Sequence, residues 1–307
     1  MKIPNGHLCV FVATRRADVP APLAHYLSVD GSVPGSAVRW DHHVTGERIN
    51  LEAMPPHVDA AEFDGVGTTL ADADALASVV AVLLGGKARI PPPALELLES
   101  ASYWCDHLRA HPDHTDEVNR LGRGLLDAID HRLQGRGRRA SGEAFAVLCR
   151  EIAEGIARGE TLPYLDTWPE QVRRARALAD AGALQLCGQI ALVDLRGAPD
   201  IEPAAIYAEH PCPVAVHVER HDDGGPRYTV GLHPHLEAAP TDLREALWAL
   251  ARAEFACGPP ALAAEPYPGN ENWGGRARVF GSPWNYGSRL PPGTVVDIVA
   301  QALGLTR

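Results

Sequence analysis

Four short apolar runs fill the first seventy residues: HLCVFVAT (7–14), LAHYLSVDG (23–31), SAVRWDHH (36–43) and EFDGVGTT (62–69). At Ala73 the texture changes to an uninterrupted helical pattern, ADALASVVAVLL, closed by Gly85-Gly86. Short buried strands running into a long apolar helix constrain the chain to an α/β arrangement, because such strands need cover on both faces. Several of these runs end in acidic residues or histidine, so an open sheet would gather Asp30, Asp41, His42 and His43 near the carboxyl ends of its strands, where ligands collect.

The triple proline at 91–93 opens a further helix, ALELLESASYWCDHLRAH, and three more helical patterns fill residues 115–182, broken by QGRGRRASG (134–142). After Ala183 the chain becomes β-rich again. HDDGG separates VAVHVER from RYTVGLH as a hairpin signal, TDLREALWALARAEFACG reads as an amphipathic helix capped by Thr241 or Asp242, and GTVVDIVAQALG closes the chain as a helix. The expected organisation is an N-terminal α/β domain (1–130) with a mostly parallel sheet flanked by helices, a helical connector (131–182) and a smaller C-terminal α+β domain (183–307).

Composition narrows the function. The chain has 307 residues, 46% hydrophobic and 22% charged, an ordinary globular balance. Its net charge of −11 argues against a duplex nucleic-acid partner, which selects for a basic face, while leaving room for a small anionic substrate held by a few local cations. No apolar run reaches the length of a membrane span, and the N-terminus lacks a signal-cleavage pattern. Six scattered cysteines without a C-x-x-C pair point to a reduced, cytoplasmic setting, each cysteine reading as core. Alanine richness and Arg over Lys match a high-GC bacterium, and a homodimer is compatible with the sequence.

Two stretches carry metal chemistry. Asp72 and Asp74 lie two apart at the start of a helix, where acidic residues also favour the helix dipole. Asp41-His42-His43 ends a strand, where it also suits a polar surface loop. Brought to one sheet edge they supply three carboxylates and two imidazoles, a donor set suited to one or two Mn or Mg ions. Asp106, on a helix, adds a fifth expected ligand to Asp41, His42, Asp72 and Asp74; His107 beside it faces another direction. Asp30 reads as a turn residue with ligation as the other reading, Thr45 and Glu47 as loop-holding or proton-transfer groups, and His111, His114 and His131 as solvent-facing.

The C-terminal block NENWGGRARVFGSPWNYGSRLPP (270–292) reads as an anion-recognition segment: backbone amides at Gly274 and Gly275, guanidinium forks from Arg276 and Arg278 on one face of a strand, and hydroxyls from Ser282 and Ser288. Trp273, Trp284 and Tyr286 would form a stacking wall. There is no G-x-S-x-G nucleophile elbow and no P-loop.

The DHH triplet and DADALAS resemble signatures of the DHH phosphoesterase superfamily, whose members use a two-metal, usually manganese, centre. GQIALVDL, VAVHVE and RYTVGLHP resemble strands of that superfamily's small substrate-binding domain, and NWGGRARVFGS stands where the family has a Gly-Gly-Gly-His loop. The pattern departs from the family in three ways. DHH at 41–43 precedes DAD at 72–74, Thr68 stands where a histidine precedes the first aspartate, and WGGR replaces GGGH. The chain thus looks like a remote or rearranged relative. The resemblance implies a metal-dependent hydrolase of a small phosphoester, with Asp41, His42 and His43 as catalytic residues and a water activated by the metal. The other readings are a non-catalytic metabolite- or partner-binding protein on the same scaffold, and a metal-dependent lyase or ligase of specialised metabolism.

Overall fold

The computed structural model describes residues 3–134, 141–197, 201–234, 236, 240, 242–257, 272–275, 277–283 and 285–306. The chain divides into two units, Met1–Thr167 and Trp168–Arg307.

In the first unit, β1 (Cys9–Val12), β2 (Tyr26–Val29), β3 (Val38–Trp40) and β4 (Gly65–Thr68) form a four-stranded sheet in the order β1-β4-β2-β3. All three pairings are parallel: Cys9 faces Gly65, Tyr26 also faces Gly65, and Leu27 faces Val38. All four carboxyl ends therefore open on one edge. The DHH triplet does not prolong β3. It turns into α1 (His42–Thr45), because Asp41 is an N-cap whose Oδ1 accepts from the His43 amide at 3.0 Å. A second short helix, α2 (Asn50–Ala53), follows.

Helix α3 (Ala73–Leu84) is buried along its entire length, which is why ADALASVVAVLL is apolar apart from Asp74 and Ser78, one turn apart on the same face. It packs against α4 (Pro92–His107) and α6 (Gly142–Arg158), while α5 (Asp116–Leu133) packs chiefly on α4. Leu76, Val80 and Leu83 of α3 meet Leu98, Leu126, Phe145 and Ile152 in one core. Helices α5 and α6 thus belong to the first unit and α7 (Trp168–Asp180) begins the second, so residues 131–182 are shared between the units rather than forming a separate body.

The second unit holds a six-stranded sheet in the order β5-β6-β7-β8-β10-β9. Its strands are β5 (Leu184–Cys187), β6 (Ile190–Asp194), β7 (Val214–Arg220), β8 (Pro226–Leu232), β9 (Gly274–Gly275) and β10 (Val279–Gly281). Only β6 and β7 pair in parallel, joined through α8 (Pro203–Glu209). The HDDGG turn closes the β7–β8 hairpin as its sequence predicts, with His217 opposite Thr229. Helices α9 (Arg244–Ala256) and α10 (Pro292–Leu303) pack on the face carrying Val214, Val216 and Val230. Asp242 accepts from the Arg244 amide at 2.8 Å before α9; Thr241 lies outside the described residues. No helix among the described residues is long and apolar enough to cross a membrane, and no disulfide joins the described cysteines.

Candidate metal centre

The common edge of the parallel sheet brings Asp30, after β2, and His42, after β3, beside the start of α3. Asp106, near the end of α4, completes the group. His42 is the hub. Its Nε2 lies 3.5 Å from Oδ1 of Asp30, 3.5 Å from Oδ2 of Asp74 and 3.3 Å from Oδ2 of Asp106. Those contacts are too long or poorly aligned for hydrogen bonds, and Nε2 is buried without a hydrogen-bond partner. The other ring nitrogen, Nδ1, sits 3.3 Å from the Glu47 carbonyl oxygen. A carbonyl only accepts, so Nδ1 carries a proton there and Nε2 is the nitrogen aimed at the three carboxylates.

A lone pair ringed by carboxylate oxygens is repulsive unless a cation or a proton lies between them. Two sets of donor atoms suit a metal ion, each set within 4.8 Å: His42 with Asp74 and Asp106, and His42 and His43 with Asp30. Donors bound at about 2.1 Å and at right angles stand about 3 Å apart, so the distances around His42 need only a small contraction to close on an ion. Burial, then the charges of Asp30 and Asp106, push Asp74 well above the usual carboxylate range, and the same causes act in the same order on Asp72. Burial lowers His42, but Asp30 and Asp106 outweigh it and hold the imidazole above its ordinary value.

The surrounding residues fix these donors. Asp74, fully buried on the first turn of α3, accepts from the Asn50 amide at both oxygens, 3.1 and 2.9 Å. The Asn50 side chain accepts from the His42 amide at 3.0 Å and donates to Ser78 Oγ at 2.8 Å. Asn50 therefore ties α1 to α3 across the centre. Asp30 adopts a left-handed backbone (φ 45°), and Gly31 beside it has φ 125°, where a Cβ would lie 2.2 Å from Thr69 Oγ1. Thr68, in the position noted for its missing histidine, is buried and donates through Oγ1 to the Asp30 carbonyl at 3.1 Å. It orients the Asp30 backbone.

The expected ligands thus separate into two groups. His42, Asp74 and Asp106 converge. Asp72 faces the same carboxylates electrostatically while its Oδ1 caps α3 through the Ala75 amide at 3.0 Å. Asp41 is already engaged: Oδ2 accepts from Arg39, with Nε at 3.0 Å, and Oδ1 accepts from the His43 amide and meets His43 Nδ1 at 2.6 Å. Burial would raise the Asp41 carboxyl, but Arg39 and His43 together outweigh it and hold it low. The His43 ring lies against that of His42, with centroids 4.1 Å apart and planes tilted by 56°, and its side chain remains 28% exposed. Thr45 Oγ1 donates to the Asp41 carbonyl at 3.3 Å, and Glu47 acts through its backbone oxygen. Asp30, read from sequence as a turn residue, is both turn and centre. Asn50 and Ser78 escaped the sequence reading altogether. His111 is buried rather than solvent-facing: its amide donates to Asn119 and its ring lies against Tyr103.

In the second unit, Gly274 and Gly275 form β9, and a Cβ on Gly275 would meet Phe280 Cα at 2.5 Å, so that glycine serves the hairpin. Arg276 lies outside the described residues, as does Trp284. Arg278 is exposed in the turn between β9 and β10, not in a strand. Ser282 Oγ accepts from the Tyr228 amide at 2.9 Å, and Ser288 Oγ lies 2.5 Å from Glu254 Oε2. Glu254, fully buried on α9, also accepts from Trp273 Nε1 at 3.1 Å and from the Arg289 amide at 3.0 Å. Much of the polar capacity of this block is spent within the fold.

No family model matches the chain, and no curated protein matches it. Among solved structures, the chain is similar to a pGpG-specific phosphodiesterase, PggH, from Vibrio cholerae, at 14% identity and a TM-score of 0.43, over 91% of this chain and 98% of that one.

Proposed function

We propose that the first unit is a metal-dependent hydrolytic centre acting on a small anionic phosphoester. The observation that carries this reading is the buried His42 Nε2, which makes no hydrogen bond and faces three carboxylates at 3.3–3.5 Å. His42, Asp30, Asp74 and Asp106 would hold one Mn or Mg ion. The contacts to Asp30, Asp74 and Asp106 all run to Nε2 of His42, and one nitrogen serves one ion; Nδ1 of His43, the atom that approaches Asp30, is already taken up by Asp41 at 2.6 Å. When bound, such an ion lowers the pKa of a coordinated water and polarises a phosphoryl oxygen.

The chain's own residues divide the remaining work. Glu47, through its carbonyl, keeps the proton on His42 Nδ1. Asn50 sets the distance between His42 and Asp74. Asp41 and Arg39 hold His43, which in this reading moves a proton at Nε2 to the leaving oxygen, an imidazole oriented by a carboxylate as general acid–base catalysis requires. The DHH and DADALAS resemblance supports a phosphoester over other anionic substrates.

Turnover of bis(4-nitrophenyl) phosphate and of a dinucleotide by the Mn-loaded chain tests this reading. The wild type is expected to release product only with Mn or Mg present, and His43→Ala to bind Mn as the wild type does while losing about 10²–10⁴-fold in kcat. Tight Mn binding without turnover of either substrate would leave a binding protein in place of a phosphoesterase.

A further inference from the structure

Independently of the metal centre, the second unit contains a cavity of about 900 Å³, within the size range of small-molecule sites. It opens at the end of the sheet where β6 and β7, the parallel pair, finish. Asp194 pairs with Val218 across these strands, so Leu192, Asp194, Val218 and Arg220 present one face to it. Leu178 and Ala177 of α7 and Ile201 complete an apolar body.

The charge of the lining is unusual for this chain. Three guanidiniums, Arg174, Arg196 and Arg220, border the cavity against one carboxylate, Asp194, in a protein of net charge −11. Arg196 is fixed by Asp194, with Nε to Oδ1 at 2.9 Å and Nη2 to Oδ2 at 2.6 Å. Arg174 is held by Glu170 at 2.8 Å. Arg220 makes no ion pair among the described residues, and Pro292, the first residue of α10, brings the positive end of that helix to the wall. Two positioned guanidiniums, one uncommitted guanidinium and a helix N-terminus above apolar side chains match a ligand with a negative head and an apolar body.

We propose that this cavity binds a small amphipathic anion, a phosphate or carboxylate carrying an aromatic or aliphatic group. Arg220 meets the charge, and the surface of Leu178, Leu192 and Val218 meets the apolar part.

Fluorescence titration of the full chain with 8-anilino-1-naphthalenesulfonate reads this directly. The wild type is expected to bind the probe saturably and to release it to phenyl phosphate or phenylacetate, the stronger competitor identifying the head group, and far less to inorganic phosphate. Arg220→Glu reverses the charge at an exposed strand end and is expected to weaken probe binding at least about tenfold. Ala177→Trp fills the cavity from an exposed helix position and is expected to abolish binding. Both variants should retain the wild-type melting temperature and Mn affinity. Absence of saturable binding by the wild type, or wild-type binding by both variants, overturns the proposal. Wild-type affinity in Arg220→Glu alone overturns its anionic part.

Discussion

His42 Nε2 stands 3.3 Å from Asp106 Oδ2, joining the turn after β3 to the last turns of α4. With Asp74 at 3.5 Å on the other side, the imidazole is the point where strand end, buried helix and flanking helix meet. Such a point gains stability from a bound ion and loses it when the ion is absent.

Asp74→Asn should uncouple metal binding from folding. Asp74 is fully buried, and burial followed by the charges of Asp30 and Asp106 raises its pKa. An asparagine keeps an acceptor for the Asn50 amide and removes the charge. The metal-free variant is expected to melt at or above the wild-type temperature. The wild type should gain about 2.7 kcal/mol at a Mn concentration a hundredfold above its Kd, and the variant little. Differential scanning calorimetry with and without Mn reads both effects.

Asn50→Ala should damage both stability and metal affinity without removing a ligand. The His42 amide and Ser78 Oγ lose their partner inside the core. Each buried group left unsatisfied costs about 1–3 kcal/mol, and loss of such a support typically weakens metal binding about 10–100-fold. Urea denaturation and Mn titration of the same variant measure the two separately.

Gly31→Ala should act on Asp30 through the backbone. Its φ of 125° and the 2.2 Å approach of a Cβ to Thr69 Oγ1 leave no room for the methyl group. A loss above about 1 kcal/mol is expected, together with weakened Mn binding. A variant with full stability and affinity would show that the Asp30 turn tolerates rearrangement.

The second unit carries a pH-dependent element in His217, buried in β7 and pushed down to about 4 by burial. Between pH 6.5, its ordinary value, and about 4, the unfolded chain binds a proton there that the folded chain does not. Stability from this residue is therefore complete above 6.5 and lost as pH falls toward 4, by about 3 kcal/mol in all. His217→Gln should lack that component, so the wild-type minus variant stability difference should shrink across this window in denaturant titrations at stepped pH.

Much of the layout was legible because the signals are local. Apolar runs marked β1 to β4, Pro92 opened α4, and HDDGG closed the β7–β8 hairpin. The centre was legible only in part, since a carboxylate's role depends on partners distant in sequence. LSVDG looks the same whether Asp30 serves a turn or faces an imidazole, and here it does both. Asp41 followed the N-cap rule and took Arg39 as well, which a ligand reading of DHH does not anticipate. Asn50 lies seven residues after the DHH triplet, but its link to Asp74 and Ser78 appears only once α3 packs behind it. The Gly- and Ser-rich C-terminal block resembled an anion loop because nothing local discloses that Glu254 takes up Trp273 Nε1, Ser288 Oγ and the Arg289 amide.

Pulsed electron paramagnetic resonance of the Mn-loaded chain reports whether an imidazole nitrogen, that of His42, binds the ion. About one tightly bound Mn with a nitrogen coupling is expected in the wild type, retained in His43→Ala and lost in His42→Ala. No tight Mn binding, or the same nitrogen coupling in His42→Ala, would contradict ligation of the ion by His42.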